Sequence, residues 1–318
     1  MMPQQVRLVG LDVSKRKIDG CIRGVDRCSA PCTLEGEAEL IAWLRRHSVR
    51  VAVMEASGGY ERHWAEALRA AGLTVRIVDP KRVRHFARAL GKRAKNDPID
   101  AEMIAWFAET CPAEAIQAPD PERIELDGLM TARAGLKAIE TQIVQQGEHR
   151  RHKLAARAHA AVLKTLRAQL RALDAAIAAR IRANPAFARR AEIVASVPGL
   201  ADQTAAGIIA WFPELGHISD QAVAALLGVA PYDDDSGEHK GVRHIQGGRR
   251  KLRNHLYMPM MGAATQHNPV LKAYYQRLIA KGKDGKVALV ACMRKLIVIL
   301  NTMLARDQTW NPPARAAA

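Results

Sequence analysis

The chain has 318 residues, 48% hydrophobic and 4% aromatic, and its 48 lysines and arginines outnumber its 32 acids to give a net charge of +16. That length allows two or three domains with real cores, and the charge suits a polyanion partner, of which nucleic acid is the commonest. Five cysteines without a Cys-x-x-Cys argue against a disulfide framework or a cysteine-held zinc and fit a reducing cytoplasm, while no run reaches the ~20 apolar residues a membrane span needs.

Val6 to Val13 is a mostly apolar run of the kind buried on both faces of a sheet, and it ends near Asp12. A turn at 15–17 follows, with weaker strands expected at Ile18 to Arg23 and Cys32 to Leu34. Glu37 to His47 is amphipathic, Arg50 to Met54 is a second buried strand with Glu55 at its end, and a helix between Gly59 and Gly72 leads to a third good strand, Leu73 to Val78. A basic helix begins at Lys81, carrying Arg82 and Arg84 and running on to Lys92 and Arg93. Asp97 then suits an N-cap with Pro98 at the first helical position, and Ile99, Met103, Ile104 and Phe107 mark an apolar face. The order is three strands, helix, strand, helix, strand, helix, helix, which matches an α/β RNase H-like domain over 1–110.

Prolines at 112, 119 and 121 mark a linker over 111–124. From 125 to 190 the pattern is long helices. Leu129, Ala132, Leu136, Ile139 and Ile143 form one heptad-like seam, and Leu163, Leu166, Leu170, Leu173, Ile177 and Ile181 form another. The helices pair with each other or with another subunit. Arg150, Arg151, Lys153 and Arg157 open a cationic stretch that suits a nucleic-acid backbone, although such blocks also serve as solvated faces. A mainly α domain follows over 191–310. Its Ile193 to Phe212 segment reads as two short helices around Pro198-Gly199, a helix–hairpin–helix-like arrangement able to meet a phosphate. An Asp-rich loop carrying Ser236 precedes Arg243, Arg249, Arg250, Lys251 and Arg253, a second basic cluster. The tail at 311–318 reads as disordered.

Taken alone, Asp97 caps a helix and Asp100 is a first-turn charge complementing the dipole. In an RNase H-like sheet, however, Asp12 and Glu55 would be neighbours, and a crossing helix could add Asp97 and Asp100. Four carboxylates that close repel one another unless a cation joins them, and two Mg2+ ions held this way are suited to phosphodiester chemistry. Asp19, Asp26, Glu61 and Asp79 read as turn or surface acids.

The stretches Gly10-Leu11-Asp12-Val13-Ser14-Lys15, Met54-Glu55-Ala56-Ser57-Gly58-Gly59-Tyr60 and Lys95-Asn96-Asp97-Pro98-Ile99-Asp100-Ala101 resemble the DEDD transposases, insertion-sequence recombinases related to the Piv-type DNA invertases. Val197-Pro198-Gly199 and Leu227 to His244 resemble that family's C-terminal transposase domain. The resemblance implies a RuvC-like N-terminal domain with Asp12, Glu55, Asp97 and Asp100 holding Mg2+, for which Mn2+ could substitute. It implies Ser236 as a nucleophile that forms a phosphoserine–DNA intermediate; from chemistry alone, Ser236-Gly237 is as readily a turn. It also implies donor and target DNA as substrates, a structured non-coding bridge RNA as guide, and a homo-oligomer, dimer or tetramer. An invertase without guide RNA and a RuvC-like nuclease or junction resolvase are the competing readings.

Overall fold

The computed structural model describes residues 7–91, 97–111, 120–147, 152–232, 235, 236, 239–241 and 243–311, leaving aside the side chains of 97–99, 235, 236, 239 and 240. The chain divides into two compact units, Met1–Ala118 and Pro119–Ala318.

The first unit is built on a five-stranded sheet. Its elements in order are β1 (Leu8–Val13), β2 (Lys17–Ile22), β3 (Asp26–Pro31), α1 (Leu34–Arg46), β4 (Val51–Glu55), α2 (Tyr60–Ala70), β5 (Thr74–Val78), α3 (Pro80–Ala89) and α4 (Asp97–Thr110). This is the order expected from the sequence. The strands lie β3-β2-β1-β4-β5, with β1, β2 and β3 antiparallel and β4 and β5 running parallel to β1.

The third strand lies at Asp26–Pro31 rather than at Cys32 to Leu34. It is an edge strand that is exposed along most of its length, so it carries no apolar run to announce it. Thr33 instead caps α1, its side chain accepting from the Gly36 amide at 3.2 Å.

Alternation divides the sheet cleanly. Val9, Leu11, Ala52 and Met54 face Leu40, Trp43, Leu44, Trp64 and Leu68 of α1 and α2. Leu8, Val51 and Val53 face the opposite way, against Met103, Ile104 and Phe107 of α4. Gly10 lies on that second face, and a β-carbon there would strike the Ala101 carbonyl oxygen at 2.2 Å. The absent side chain is what lets α4 cross directly over β1. Salt bridges from Arg23 to Glu109 (2.7 Å) and from Arg27 to Glu102 tie α4 to the turn end of the β2–β3 hairpin.

The second unit consists of α5 (Pro121–Gly147), α6 (Lys153–Ala183), α7 (Pro185–Ala195), α8 (Asp202–Trp211), α9 (Asp220–Leu227), four two-residue strands β6 (Pro231–Tyr232), β7 (Asp235–Ser236), β8 (His239–Lys240) and β9 (His244–Ile245), α10 (Arg250–Gly262), a π-helical turn Ala263–His267, α11 (Pro269–Ala280) and α12 (Gly285–Ala305). Helix α5 starts inside the stretch read as a linker, because Asp120 caps it through the Glu122 amide at 3.0 Å and Pro121 takes its first position. Residues 112–119 and 312–318 lie outside the described residues, and with them most of the expected linker and tail.

Helices α5 and α6 pair with each other within the chain. The α6 seam is as expected, with Leu170, Ile177 and Ile181 buried. The α5 seam is rotated. Leu126, Met130 and Glu140 are its buried positions, whereas Ile139 is exposed. Leu126 and Met130 turn inward because they also pack on Ile209 and Ala210 of α8. Helix α12 is long and apolar enough to cross a membrane by length and composition. Its Ala288, Leu289, Cys292, Met293, Leu296, Ile297 and Leu300 are nevertheless buried, and from Leu289 onward these side chains join the main core of this unit.

Candidate active site

Asp12 and Glu55 occupy the ends of adjacent parallel strands. The register pairs Gly10 with Val53 and Leu11 with Met54, so the next step brings Asp12 beside Glu55. By alternation both lie on the face that α4 covers, and both are half-buried. Asp100 is half-buried in the first turn of α4, next to the Ala101 carbonyl that abuts Gly10. Asp97 starts the same helix, and its side chain lies outside the described residues. Among the described residues no three His, Cys, Asp or Glu side chains converge closely enough to hold a metal ion. The donor set is wholly carboxylate, the ligand type a hard divalent cation prefers, so the residues suit Mg2+ chemically.

Four acids read as turn or surface groups acquire definite places. Asp19 pairs directly with Asp12 across the β1–β2 ladder and shares its face, with Lys17 bound to its carboxylate at 2.9 Å. Only the register reveals that adjacency, since the two acids belong to different strands. Asp79 caps α3 by accepting from the Lys81 amide at 2.8 Å. Asp26 accepts from Trp43 Nε1 at 2.9 Å. Glu61 is buried, contrary to the surface reading, and accepts three hydrogen bonds from the loop after Glu55.

In the second unit Ser236 lies on β7, its backbone paired with His239 of β8. Their side chains lie outside the described residues. His244 pairs with Tyr232 in the other short ladder.

The basic residues separate into two kinds. Arg249 donates to Glu214 through its two terminal guanidinium nitrogens and also to the Trp211 carbonyl at 2.9 Å. Burial pushes the Glu214 carboxyl up, but hydrogen bonds and charge from Arg249 outweigh it and hold that group below the ordinary carboxylate range. Lys251 donates to Asp127 (2.9 Å) and Thr131 (2.6 Å) and lies over the Trp211 ring. Arg253 donates to the carbonyls of Leu227, Gly228 and Gly247. These three spend much of their charge inside the unit. Arg82, Arg84, Lys153, Arg157, Arg243 and Arg250 are exposed, while Lys92, Arg93, Arg150 and Arg151 lie outside the described residues.

Helices α7 and α8 form the expected pair around Pro198-Gly199. Gly199 has a φ of 94°, and a β-carbon on it would meet Ala263 at 2.7 Å, so one side of this turn is occupied by the π-helical turn.

A mixed sheet bearing strand-end acids, in a chain with a large basic excess, agrees in class with what sequence comparison returns, a transposase. Residues 9–149 match the DEDD transposase domain of IS110 elements, and residues 191–276 match the domain described as "Transposase IS116/IS110/IS902 family". The chain belongs to the IS110 family of transposases. It is 25% identical over 319 residues to the pilin gene-inverting proteins of Moraxella lacunata and Moraxella bovis, covering 95% of this chain and 97% of theirs. It is also 31% identical over 158 residues to an uncharacterized 43.6 kDa protein of insertion element IS110 from Streptomyces coelicolor, covering 48% of this chain and 36% of that one.

Proposed function

We propose that this transposase cleaves and rejoins donor and target DNA through a serine nucleophile, with Mg2+ held by Asp12, Glu55, Asp97 and Asp100 and a bridge RNA supplying the target sequence. The observation that carries the reading is the register that brings Asp12 beside Glu55 on the face crossed by α4. The sheet order β3-β2-β1-β4-β5, with a three-stranded antiparallel meander and two parallel additions, supports a RuvC-like assignment.

Asp12 and Glu55 would be the strand-borne ligands, with Asp100 and Asp97 contributed from the first turn of α4. The bound cation would supply charge to offset the developing oxyanions. Ser236 Oγ attacks the scissile phosphorus. An Oγ–P bond forms, one P–O ester bond breaks, and the serine proton passes to the departing strand oxygen. The reverse exchange, in which a hydroxyl on another strand attacks the phosphoserine, restores the serine and joins the new strand. RNA pairing would leave the protein to read backbone and shape, which suits the net charge of +16.

The test is a covalent-adduct assay on DNA carrying the ends of the element. Wild type is expected to give a protein–DNA adduct. Ser236→Ala should give none while its melting curve is unchanged, and Asp12→Asn should abolish strand cleavage. Wild-type cleavage by Ser236→Ala would mean that water attacks and would overturn the serine assignment. End-to-end similarity to the pilin gene-inverting proteins favours a second reading, DNA inversion without a guide. A discrete RNA that co-purifies with the protein and is required for cleavage decides for the guided reading.

A further inference from the structure

The two strand-end carboxylates are each followed two residues later by a serine, in Asp12-Val13-Ser14 and Glu55-Ala56-Ser57. Ser14 closes a local turn, its hydroxyl donating to the Lys17 carbonyl at 2.8 Å and accepting from the Lys17 amide at 3.2 Å. Ser57 is held differently. Its amide and its hydroxyl both donate to Glu61 Oε2 at 2.9 Å, and the Gly59 amide donates to the same oxygen at 2.8 Å.

A helix start does not require this arrangement, since a Ser, Thr, Asp or Asn at the N-cap is sufficient. Here the cap is Gly59, which has a φ of 112° and no side-chain cap bond, preceded by Gly58 at 76°. The loop takes a path that L residues rarely adopt, and the buried Glu61, 8% exposed, closes it from inside. Directly after Glu55 the Ala56 amide still donates to the Val78 carbonyl at 3.2 Å. Glu55 therefore stands where the sheet ladder ends and the three-bond clamp begins.

We infer that Glu61, acting through Ser57 and Gly59, is a positioning residue that fixes the direction of the Glu55 carboxylate toward a divalent cation. This rests on the reading of Glu55 as a metal ligand. The partners that orient metal ligands matter nearly as much as the ligands themselves.

The test measures Mn2+ binding to the full-length protein by electron paramagnetic resonance, alongside DNA strand cleavage, for five proteins: wild type, Glu55→Gln, Glu61→Ala, Glu61→Gln and Ser57→Ala. Glu61→Ala is expected to weaken Mn2+ binding and cleavage by about 10- to 100-fold while nucleic-acid affinity holds. Glu61→Gln should retain most of both, because its amide oxygen can accept the same hydrogen bonds. Ser57→Ala should fall between. A folded Glu61→Ala that binds Mn2+ like wild type, beside a Glu55→Gln that does not, would overturn the inference. Equal losses in Glu61→Gln and Glu61→Ala would also overturn it, making the charge itself the active feature. If Glu61→Ala does not fold, Ser57→Ala decides, and unchanged Mn2+ affinity there overturns the clamp. Wild-type Mn2+ binding by Glu55→Gln has a separate signature: it removes Glu55 as a ligand, and the inference falls with it.

Discussion

A β-carbon on Gly10 would lie 2.2 Å from the Ala101 carbonyl oxygen and 2.4 Å from the Ala105 amide nitrogen. Both are backbone atoms of α4, so no side-chain rotation could make room, and the helix would have to lift from the sheet. Asp97 and Asp100 belong to the first turns of that helix, so lifting it moves them away from Asp12 and Glu55. Gly10→Ala is expected to cost about 1–3 kcal/mol of stability, as overpacking of a tight site does, and to reduce strand cleavage as well. Gly20→Ala serves as a comparison. Its β-carbon would crowd the Leu11 and Trp43 side chains at 3.2 and 3.3 Å on the opposite face, where small rotations can absorb it. Thermal melts and cleavage assays on both variants test this. Equal cleavage by the two would show that the seating of α4 does not govern the site.

At the scale of elements, the runs at β1 and β4 were legible in the sequence because a strand covered on both faces is almost wholly apolar, and β5, an edge strand that includes Arg76, still shows Val75, Ile77 and Val78. The edge strand β3 was not, since an exposed strand shares its composition with a loop. Register was invisible too, which is why Asp19 gave no sign of facing Asp12. The α5 seam was misplaced because one helix answers to two neighbours. Glu140 takes an inward position there, held by Lys137 at 2.6 Å and Arg167 at 2.9 Å, which heptad counting of apolar residues cannot anticipate. The junction of α8 and α10 hides another such group. His255 stands edge-on to Trp211 at 5.1 Å, its Nε2 lies 2.9 Å from the Gln203 carbonyl, and Gly207 leaves it room. Burial holds its pKa below the ordinary value, against the hydrogen bond to Gln203, with Arg133 and Lys251 adding to the depression. The unfolded chain therefore takes up this proton at a higher pH than the folded one. The contribution of His255 is complete above about pH 6.5, the ordinary histidine value, and is lost as pH falls from there through the folded pKa. Melting temperature should fall between pH 7.5 and 5.5, and His255→Gln should flatten that fall. A variant with the same pH profile as wild type would show that the destabilising proton binds elsewhere.

For the molecule as a whole, the net charge of +16 announces a polyanion partner, but the total does not say which cations are available to it. Arg249, Lys251 and Arg253 looked like phosphate ligands because they cluster in sequence, yet the fold gives each of them carboxylate, hydroxyl or carbonyl partners in its own unit. Lys153 and Arg157 are exposed near the start of α6, and cations of that kind release counterions when they meet a phosphate backbone. If ~6–10 phosphates are neutralised, affinity for a nucleic-acid duplex should fall by ~10³–10⁵ between 50 and 200 mM salt. Fluorescence anisotropy titrations at several salt concentrations measure the slope. Replacing both Lys153 and Arg157 by Gln should make that slope shallower by about two, roughly one per lost phosphate contact, and leave the melting temperature in place. Arg253→Gln should do the reverse, lowering the melting temperature because three carbonyls lose their donor, with little change in slope. A steep loss of slope in Arg253→Gln, or none in the Lys153 and Arg157 variant, would exchange the roles assigned to these two sets of cations.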